Sequence, residues 1–284
     1  MIRFLALTFL AFGSYLSPAP AQSVPAQPPK IFVASTGLDT NSGARTAPMR
    51  SFQAAHDAVA AGGEIVVLDT AGYGTIKINK SVAVVVPPGV SGFVTSSSGS
   101  PAIEIYAGAN DSVTLRGLIV EGPGRSGTAI GIFATVFGRL VIEDTTVRNF
   151  DRGISLFGST TPRLVVRGGA IRDTNLGVQV IAAGSSLPMA VVSETELTGN
   201  GTAFAVTSSS ASARAFLTAT RCLATDNSTV FDVSGVGVAA FVEGCTITAA
   251  GTVFRTTSAT IYTGLTNRIV GYQTRGPATA LALE

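Results

Sequence analysis

Short phrases in which apolar and polar residues alternate recur along the chain from residue 103 onwards. They begin at Ile103, Ile130, Ile154, Val178, Phe204, Phe231 and Phe254. Successive phrases start 23 to 27 residues apart, a repeat length typical of solenoid proteins. Within each phrase the first and third positions are mostly apolar, whereas the second ranges from Glu104 to Arg255. This alternation predicts a half-buried β-strand in every repeat.

Each repeat predicts further short strands. A second apolar segment follows each phrase after a turn, as in VTL at 113–115 and LVV at 164–166, and a third apolar position comes five residues later, at Val120 and Ile171. Three short strands in roughly 24 residues cannot enclose a core alone, so each repeat must stack on the next through parallel pairing. We therefore predict an all-β fold, a single-stranded right-handed parallel β-helix.

Residues 1–21 have the pattern of a secretory signal peptide. One basic residue precedes an apolar run from Phe4 to Leu16, and Ala19-Pro20-Ala21 forms a cleavage site. The run is shorter than the roughly 20 residues that a membrane-spanning helix needs, although an uncleaved N-terminal anchor is the alternative. We expect cleavage before Gln22 and export to the periplasm or the extracellular space.

The chain between the signal peptide and the repeats differs from both. Residues 22–30 are rich in proline and predict an extended linker. Ser51 can cap a short amphipathic helix that two glycines then end, and a helix placed before the first coil would cover the apolar end of a solenoid. We expect an N-terminal cap and the first coils over 31–94, and the remaining coils with the C-terminal end over 95–284.

Composition narrows the choice of partners. Charged residues make up 13% of the chain and the mean hydropathy is +0.43, values that stacked aliphatic rows beneath a Ser, Thr and Asn surface explain. The formal net charge is only +2 and no Lys/Arg cluster is present. These values argue against nucleic acid or a membrane surface as the partner.

The N-terminal segment carries a family resemblance. The residues that carry it are Gly37, Asp39, Gly43, Pro48, Phe52, Ala55, Gly62, Gly63, Ile65, Tyr73, Ile76, Ile78 and Ser81. In their order and spacing the segment resembles secreted bacterial proteins of the pectin-lyase-like, right-handed β-helix superfamily. The resemblance implies the fold and no single activity, since this superfold includes lyases, hydrolases, epimerases and adhesins.

Enzymes of that superfamily suggest what to look for among the charged residues. Lyases of the pectate type hold Ca2+ with acidic residues and use an Arg or Lys as the base, whereas hydrolases use three aspartates on neighbouring coils. The densest charged stretch supplies the candidates Asp144, Asp151, Asp173, Arg148 and Arg172. Ca2+ is the one cofactor that the resemblance admits, and otherwise we expect no cofactor and no metal site.

The same charges have a purely structural interpretation. Aligning the repeats places Glu121, Arg148 and Arg172 in one outward column, and Arg116, Glu143 and Arg167 in another. Mixed signs in such columns predict cross-strand ion pairs. The single histidine, His56, falls in the predicted helix, away from these columns.

The fourth position of the phrases is the candidate binding surface. It should point outward, yet it is Tyr106, Phe133, Phe157 and Ile181 in successive repeats. A strip of outward aromatic residues matches a surface on which sugar rings stack, or a partner's face. The alternative is that a turn, the C-terminal tail or a neighbouring subunit covers the strip.

Two cysteines lie at equivalent points of adjacent coils. Cys222 and Cys245 each precede the next phrase by nine residues, which predicts a separation of about 4.8 Å, within the Cα range of a disulfide. In an exported protein we expect a disulfide, with a pair of buried reduced thiols as the alternative.

Two classes of function remain open from the sequence. The first is an exported, non-catalytic β-helix that binds a polysaccharide or a protein partner through its lateral surface. The second is a divergent polysaccharide lyase or glycoside hydrolase acting on an acidic polysaccharide. The absence of a recognisable Asp/His or Ca2+ constellation favours the first.

Overall fold

A computed structural model describes residues 27–96, 99–158, 161–248 and 251–280. The predicted signal peptide and residues 22–26 of the linker lie outside these ranges. Pro28 and Pro29 accept backbone hydrogen bonds of 2.9 and 2.8 Å from Ala60 and Glu64, so the end of the linker already lies beside the start of the strand Gly63–Val67. No helix in the described ranges is long and apolar enough to cross a membrane.

Three parallel sheets form the body of the molecule, which confirms the predicted right-handed parallel β-helix. Sheet 1 contains eleven strands: Lys30–Val33, Gly63–Val67, Val82–Val85, Ser112–Arg116, Arg139–Glu143, Arg163–Arg167, Met189–Ser193, Ala215–Thr220, Val238–Glu243, Thr260–Thr263 and Thr279–Ala280. Sheet 2 contains nine: Ala71–Gly72, Gly92–Thr95, Leu118–Glu121, Thr146–Arg148, Ala170–Arg172, Glu196–Thr198, Leu223–Thr225, Thr246–Thr248 and Arg268–Val270. Sheet 3 contains eight: Ile76–Ile78, Ile103–Tyr106, Ile130–Val136, Arg152–Gly158, Leu176–Ala182, Thr202–Ser208, Thr229–Ser234 and Thr252–Thr257.

The core is a set of stacked rows, because residues that share a register position lie directly above one another. Aliphatic side chains fill most rows and are fully buried. In sheet 3 the last three coils contribute Phe204, Phe231 and Phe254, whose ring centroids lie 4.7 and 5.8 Å apart. Stacked rings add to the hydrophobic stabilisation of these coils.

The first corner, between sheets 1 and 2, is built on left-handed backbone. Successive coils place a residue of positive φ there: Gly117, Asp144, Gly168, Glu194, Arg221 and Gly244. Glycine adopts this conformation freely, whereas the charged residues adopt it at a cost of about 1–3 kcal/mol. The corner therefore fixes where these charged side chains leave the chain.

The second corner, between sheets 2 and 3, contains a buried asparagine ladder. Asn227 Oδ1 accepts hydrogen bonds from the backbone and side-chain nitrogens of Asn200, at 2.9 and 3.0 Å. Asn200 Oδ1 in turn accepts from the backbone nitrogen and the hydroxyl of Thr174. The ladder therefore links the second corners of three successive coils through buried side chains.

The predicted register is wrong in one coil of sheet 3. Ile132, rather than Ile130, pairs with Ile103 on one side and Ile154 on the other, and the strand has an irregularity between Ala134 and Val136. A strand repeats every two residues, so a slip of two leaves the inward and outward pattern unchanged. The alternation of the sequence could not detect it.

The described ranges contain one helix, Phe52–Ala58, which precedes the coils as predicted, and Ser51 caps it by accepting a hydrogen bond from Ala54 N. The helix lies at the free edge of sheet 3, where Gln53 Oε1 accepts a 2.8 Å hydrogen bond from Lys77 N. Phe52 is buried and packs on Tyr73, with ring centroids 5.1 Å apart. That the helix closes the end of the core stays a prediction.

Candidate functional site

The five charged candidates do not form one group. Asp144 lies at the first corner, whereas Asp151 and Asp173 lie at the second corner. The strand Thr146–Arg148, roughly 10 Å long, separates the two corners. Arg148 and Arg172 are cross-strand neighbours on the outer face of sheet 2, beside the second corner. Asp144 is thus separated from the other two aspartates, because the first and second corners lie at opposite ends of the sheet 2 strands.

A hollow of about 380 Å³ at the first corner is lined mainly by charged residues. Its lining consists of Arg116, Glu143, Asp144, Arg167, Gly168 and Glu194. Arg116 binds Glu143 at 2.5 Å, and Glu194 binds both Arg221 at 2.8 Å and Arg167 at 3.4 Å. Hydrogen bonds from Arg221 and then Arg167 lower the pKa of Glu194. Glu194 is therefore an ionised partner in a ladder of ion pairs and is unsuited to donate a proton near neutral pH.

At the second corner, a hydrogen-bond network that bridges coils holds one of the two aspartates, Asp151. Asp151 Oδ1 accepts a 2.9 Å hydrogen bond from Asn175, whose Oδ1 accepts a 3.1 Å bond from Arg125 Nε. Arg125 also donates to the carbonyl of Gly199, 74 residues along the chain. Arg125 thus links three coils. The sequence did not reveal this role, because Arg125 lies in the longest described turn of this corner, outside the repeating strand positions.

Arg148 and Arg172 differ in their partners. Arg148 binds Glu121 Oε2 at 3.0 Å, as the column alignment predicts. Arg172 forms no ion pair with any residue in the described part of the chain, and its Nε, like that of Arg148, is buried without a hydrogen-bond partner. Two adjacent guanidinium groups served by a single carboxylate form a cationic spot. Across the described ranges, no three His, Cys, Asp or Glu side chains come together in a way that could hold a metal ion.

The aromatic candidates share the outer face of sheet 3 but do not form the predicted straight strip. Tyr106 is 65% exposed and Phe157 is 38% exposed, and Ile181 pairs with Phe157 on the next coil. Phe133 is displaced into the neighbouring column, where it pairs with Glu104 and Ser155, because of the two-residue slip described above.

The result is a triangular group, which we call the sheet 3 patch: Tyr106, Phe133 and Phe157 on three successive coils. Polar groups surround it. Gln179 lies beside it and accepts a 3.0 Å hydrogen bond from Ser155, which is buried, and Lys77 binds Glu104 at 3.1 Å. The patch therefore combines apolar ring faces with hydrogen-bonding side chains in one surface.

The two cysteines are neighbours in the first corner, and the structure carries them as free, buried thiols. Cys222 N donates to Cys245 Sγ at 3.4 Å, and each thiol also points at the carbonyl two residues before it. A side-chain hydrogen bond with Cys245, together with burial, raises the pKa of the Cys222 thiol. The bond predicted from the sequence is not formed in the structure, and a disulfide between these adjacent thiols stays a prediction.

The sequence missed a second aromatic group. Phe216, Phe241 and Tyr262 point outward from the last coils of sheet 1, and the rings of Phe241 and Tyr262 stack at 5.0 Å with an angle of 14°. The signal was present in AFLTAT at 215–220, where Ala, Leu and Ala alternate with Phe, Thr and Thr.

Comparison with solved structures supports the fold. A GH136 lacto-N-biosidase from Eubacterium ramulus matches with a TM-score of 0.54 and 10% sequence identity, over 90% of this chain and 67% of that chain. A rhamnogalacturonan lyase matches with a TM-score of 0.39 and 11% identity, over 83% of this chain and 75% of that chain. No protein-family model matches this chain. No curated protein matches its sequence either. At 10% identity, the likeness to the lacto-N-biosidase concerns the fold alone.

Proposed function

We propose that this protein is an exported, non-catalytic β-helix that binds polysaccharide on the sheet 3 patch. The observation that carries the proposal is the exposure of Tyr106 and Phe157 on the outer face of sheet 3. An aromatic ring in that position gains no stabilisation from burial unless a ligand or a partner covers it. Aromatic faces flanked by hydrogen-bonding side chains suit sugar rings, which present C–H groups on their faces and hydroxyl groups at their edges. The lacto-N-biosidase with the same fold acts, by its name, on a glycan.

The charged residues favour binding over catalysis. The two acidic residues in ion-pair contact at the first corner, Glu143 and Glu194, are neutralised by arginines, and Asp151 at the second corner is held by Asn175. A lyase or hydrolase needs an acid and a base that converge on one substrate position. Asp144 is separated from Asp151 and Asp173, so the three aspartates do not converge on one substrate position.

The test is affinity electrophoresis of the chain from Gln22 onwards through gels that contain neutral polysaccharides. We expect retardation, and at least fivefold weaker binding for Tyr106→Ala and for Phe157→Ala, since each removes one stacking surface. Tyr272→Ala is the matched control, because Tyr272 is an exposed aromatic residue outside the patch.

The same samples distinguish the enzymatic alternative. We expect no new reducing or unsaturated ends, with or without Ca2+. New ends that disappear in Asp144→Asn, Asp151→Asn or Asp173→Asn would make the protein an enzyme and refute the proposal. An absence of binding to every neutral polysaccharide would leave a protein partner as the explanation of the exposed rings.

A further inference from the structure

A cleft on the outer face of sheet 1 forms a second site. It measures about 430 Å³, within the range of ligand pockets. Phe216, Phe241 and Tyr262 provide its aromatic walls, and Arg214, an exposed residue directly before the strand Ala215–Thr220, lines the side that we call its entrance. We call this the sheet 1 cleft. It lies on a different sheet from the sheet 3 patch and shares no residue with it.

The register explains why a hollow exists there. Phe216 pairs with Ala239, which pairs with Thr260, whereas Phe241 pairs with Tyr262 two positions further along the same strands. Large rings therefore stand beside the smaller side chains of Ala239 and Thr260 on the outer face of the sheet. The turns on the entry side are equally small, with Gly237 and Ala259 among the lining residues.

The charge of the cleft is one-sided. Arg214 is exposed, and its guanidinium forms no ion pair or side-chain hydrogen bond within the described residues. It packs over Gly237, where any Cβ would collide with it, so a glycine of positive φ keeps the guanidinium at the entrance. No acidic residue belongs to the lining, whereas Ser258 and Thr260 contribute hydroxyl groups.

We infer that the sheet 1 cleft binds a pyranose ring that carries a carboxylate, as in a uronic acid polymer. The aromatic walls would pack against the faces of the ring, the hydroxyl groups of Ser258 and Thr260 would meet its hydroxyls, and Arg214 would bind the carboxylate through a charge-assisted hydrogen bond. An unpaired cation at the entrance of an acid-free aromatic cleft matches an anionic ring and not a cationic one. This site is independent of the sheet 3 patch.

The test is titration calorimetry of the mature chain with oligogalacturonides and with the same oligomers fully methyl-esterified. The ester keeps the ring and removes the charge. We expect the acidic oligomers to bind about tenfold more tightly than the esters, and Arg214→Gln to abolish that difference. Tyr262→Ala should weaken binding of both oligomers at least fivefold.

Tyr272→Ala is the control, since it removes an exposed ring that lies outside both the cleft and the sheet 3 patch. It should bind the oligomers as the unmodified protein does. Equal affinity for acid and ester, or an unchanged preference in Arg214→Gln, would overturn the inference, and so would an absence of binding to either oligomer. Loss of binding in Phe157→Ala with no loss in Tyr262→Ala would assign the oligomers to the sheet 3 patch instead. Thermal unfolding of each variant confirms that the fold is retained.

Discussion

At the scale of single residues, the backbone conformation at the first corner explains the presence of Asp144, a catalytic candidate from the sequence. Asp144 is exposed, has a φ of 48°, and forms no ion pair or side-chain hydrogen bond with the residues that the structure describes. The neighbouring coils place glycines at the same point, Gly117 and Gly168. Aspartate tolerates left-handed backbone better than most residues do, which accounts for its presence without any chemistry.

This interpretation predicts opposite outcomes for two substitutions of Asp144. Asp144→Gly should leave the free energy of unfolding within about 0.5 kcal/mol of the unmodified value or raise it, because glycine adopts positive φ without strain. Asp144→Val should lower it by about 1–3 kcal/mol, because a β-branched residue is strained there. Chemical denaturation measures both values. Equal effects of the two substitutions would show that the side chain, and not the backbone, determines the stability of this corner.

At the scale of elements, the N-terminal helix contains the one histidine, and its setting is structural. His56 is buried, its Nδ1 lies 3.2 Å from Asp57 Oδ1, and its Nε2 accepts a hydrogen bond from Asn79 N at the edge of sheet 3. An acceptor nitrogen requires the neutral ring. Burial is the main cause that lowers the pKa of His56 below its usual 6.5, with Lys80 acting in the same direction and Asp57 opposing.

A lowered pKa in the folded state has a definite sign. The unfolded chain binds the proton more tightly, so the full stability is present above about pH 6.5 and is lost as the pH falls through the folded pKa. We expect the melting temperature to fall between about pH 7 and about pH 5, and to fall less in His56→Gln, whose amide oxygen can still accept from Asn79 N. Asp111 does not contribute in this pH range, because hydrogen bonds from Ser81 and Gly108 lower its pKa. An identical pH profile for the variant would assign the loss to another group.

The elements also show what the sequence could and could not predict. Alternation and the repeat length were sufficient for the three sheets, since both follow directly from strand geometry and stacking. They could not fix the register of the strand Ile130–Val136, because a slip of two residues keeps every side chain on its own face. Phe133 was therefore assigned to the wrong column. Phe216 and Phe241 were missed because their short segments were considered only as inward-facing strands.

At the scale of the whole molecule, the coils form a linear array in which strand pairing joins each coil only to its neighbours, with Arg125 as a longer-range link, so a lesion in one coil should weaken the array locally. Phe231 is the middle ring of the buried stack and touches the rings of both adjacent coils. Phe231→Ala should cost about 3–5 kcal/mol, the range measured for buried phenylalanines. Phe157→Ala, at a partly exposed position on the same sheet, should cost less than about 1 kcal/mol.

Hydrogen exchange resolves where that loss falls. In Phe231→Ala we expect the amides of Thr202–Ser208, Thr229–Ser234 and Thr252–Thr257 to exchange faster, while those of Ile103–Tyr106 keep their protection. The reason is that interface energy is lost on both sides of one coil but not between coils several repeats away. The sheet 1 cleft lies on these same C-terminal coils, whereas the sheet 3 patch lies before them. Phe231→Ala should therefore weaken binding at the cleft and spare the patch, and a uniform loss of protection along the chain would show that the β-helix unfolds as one cooperative unit instead.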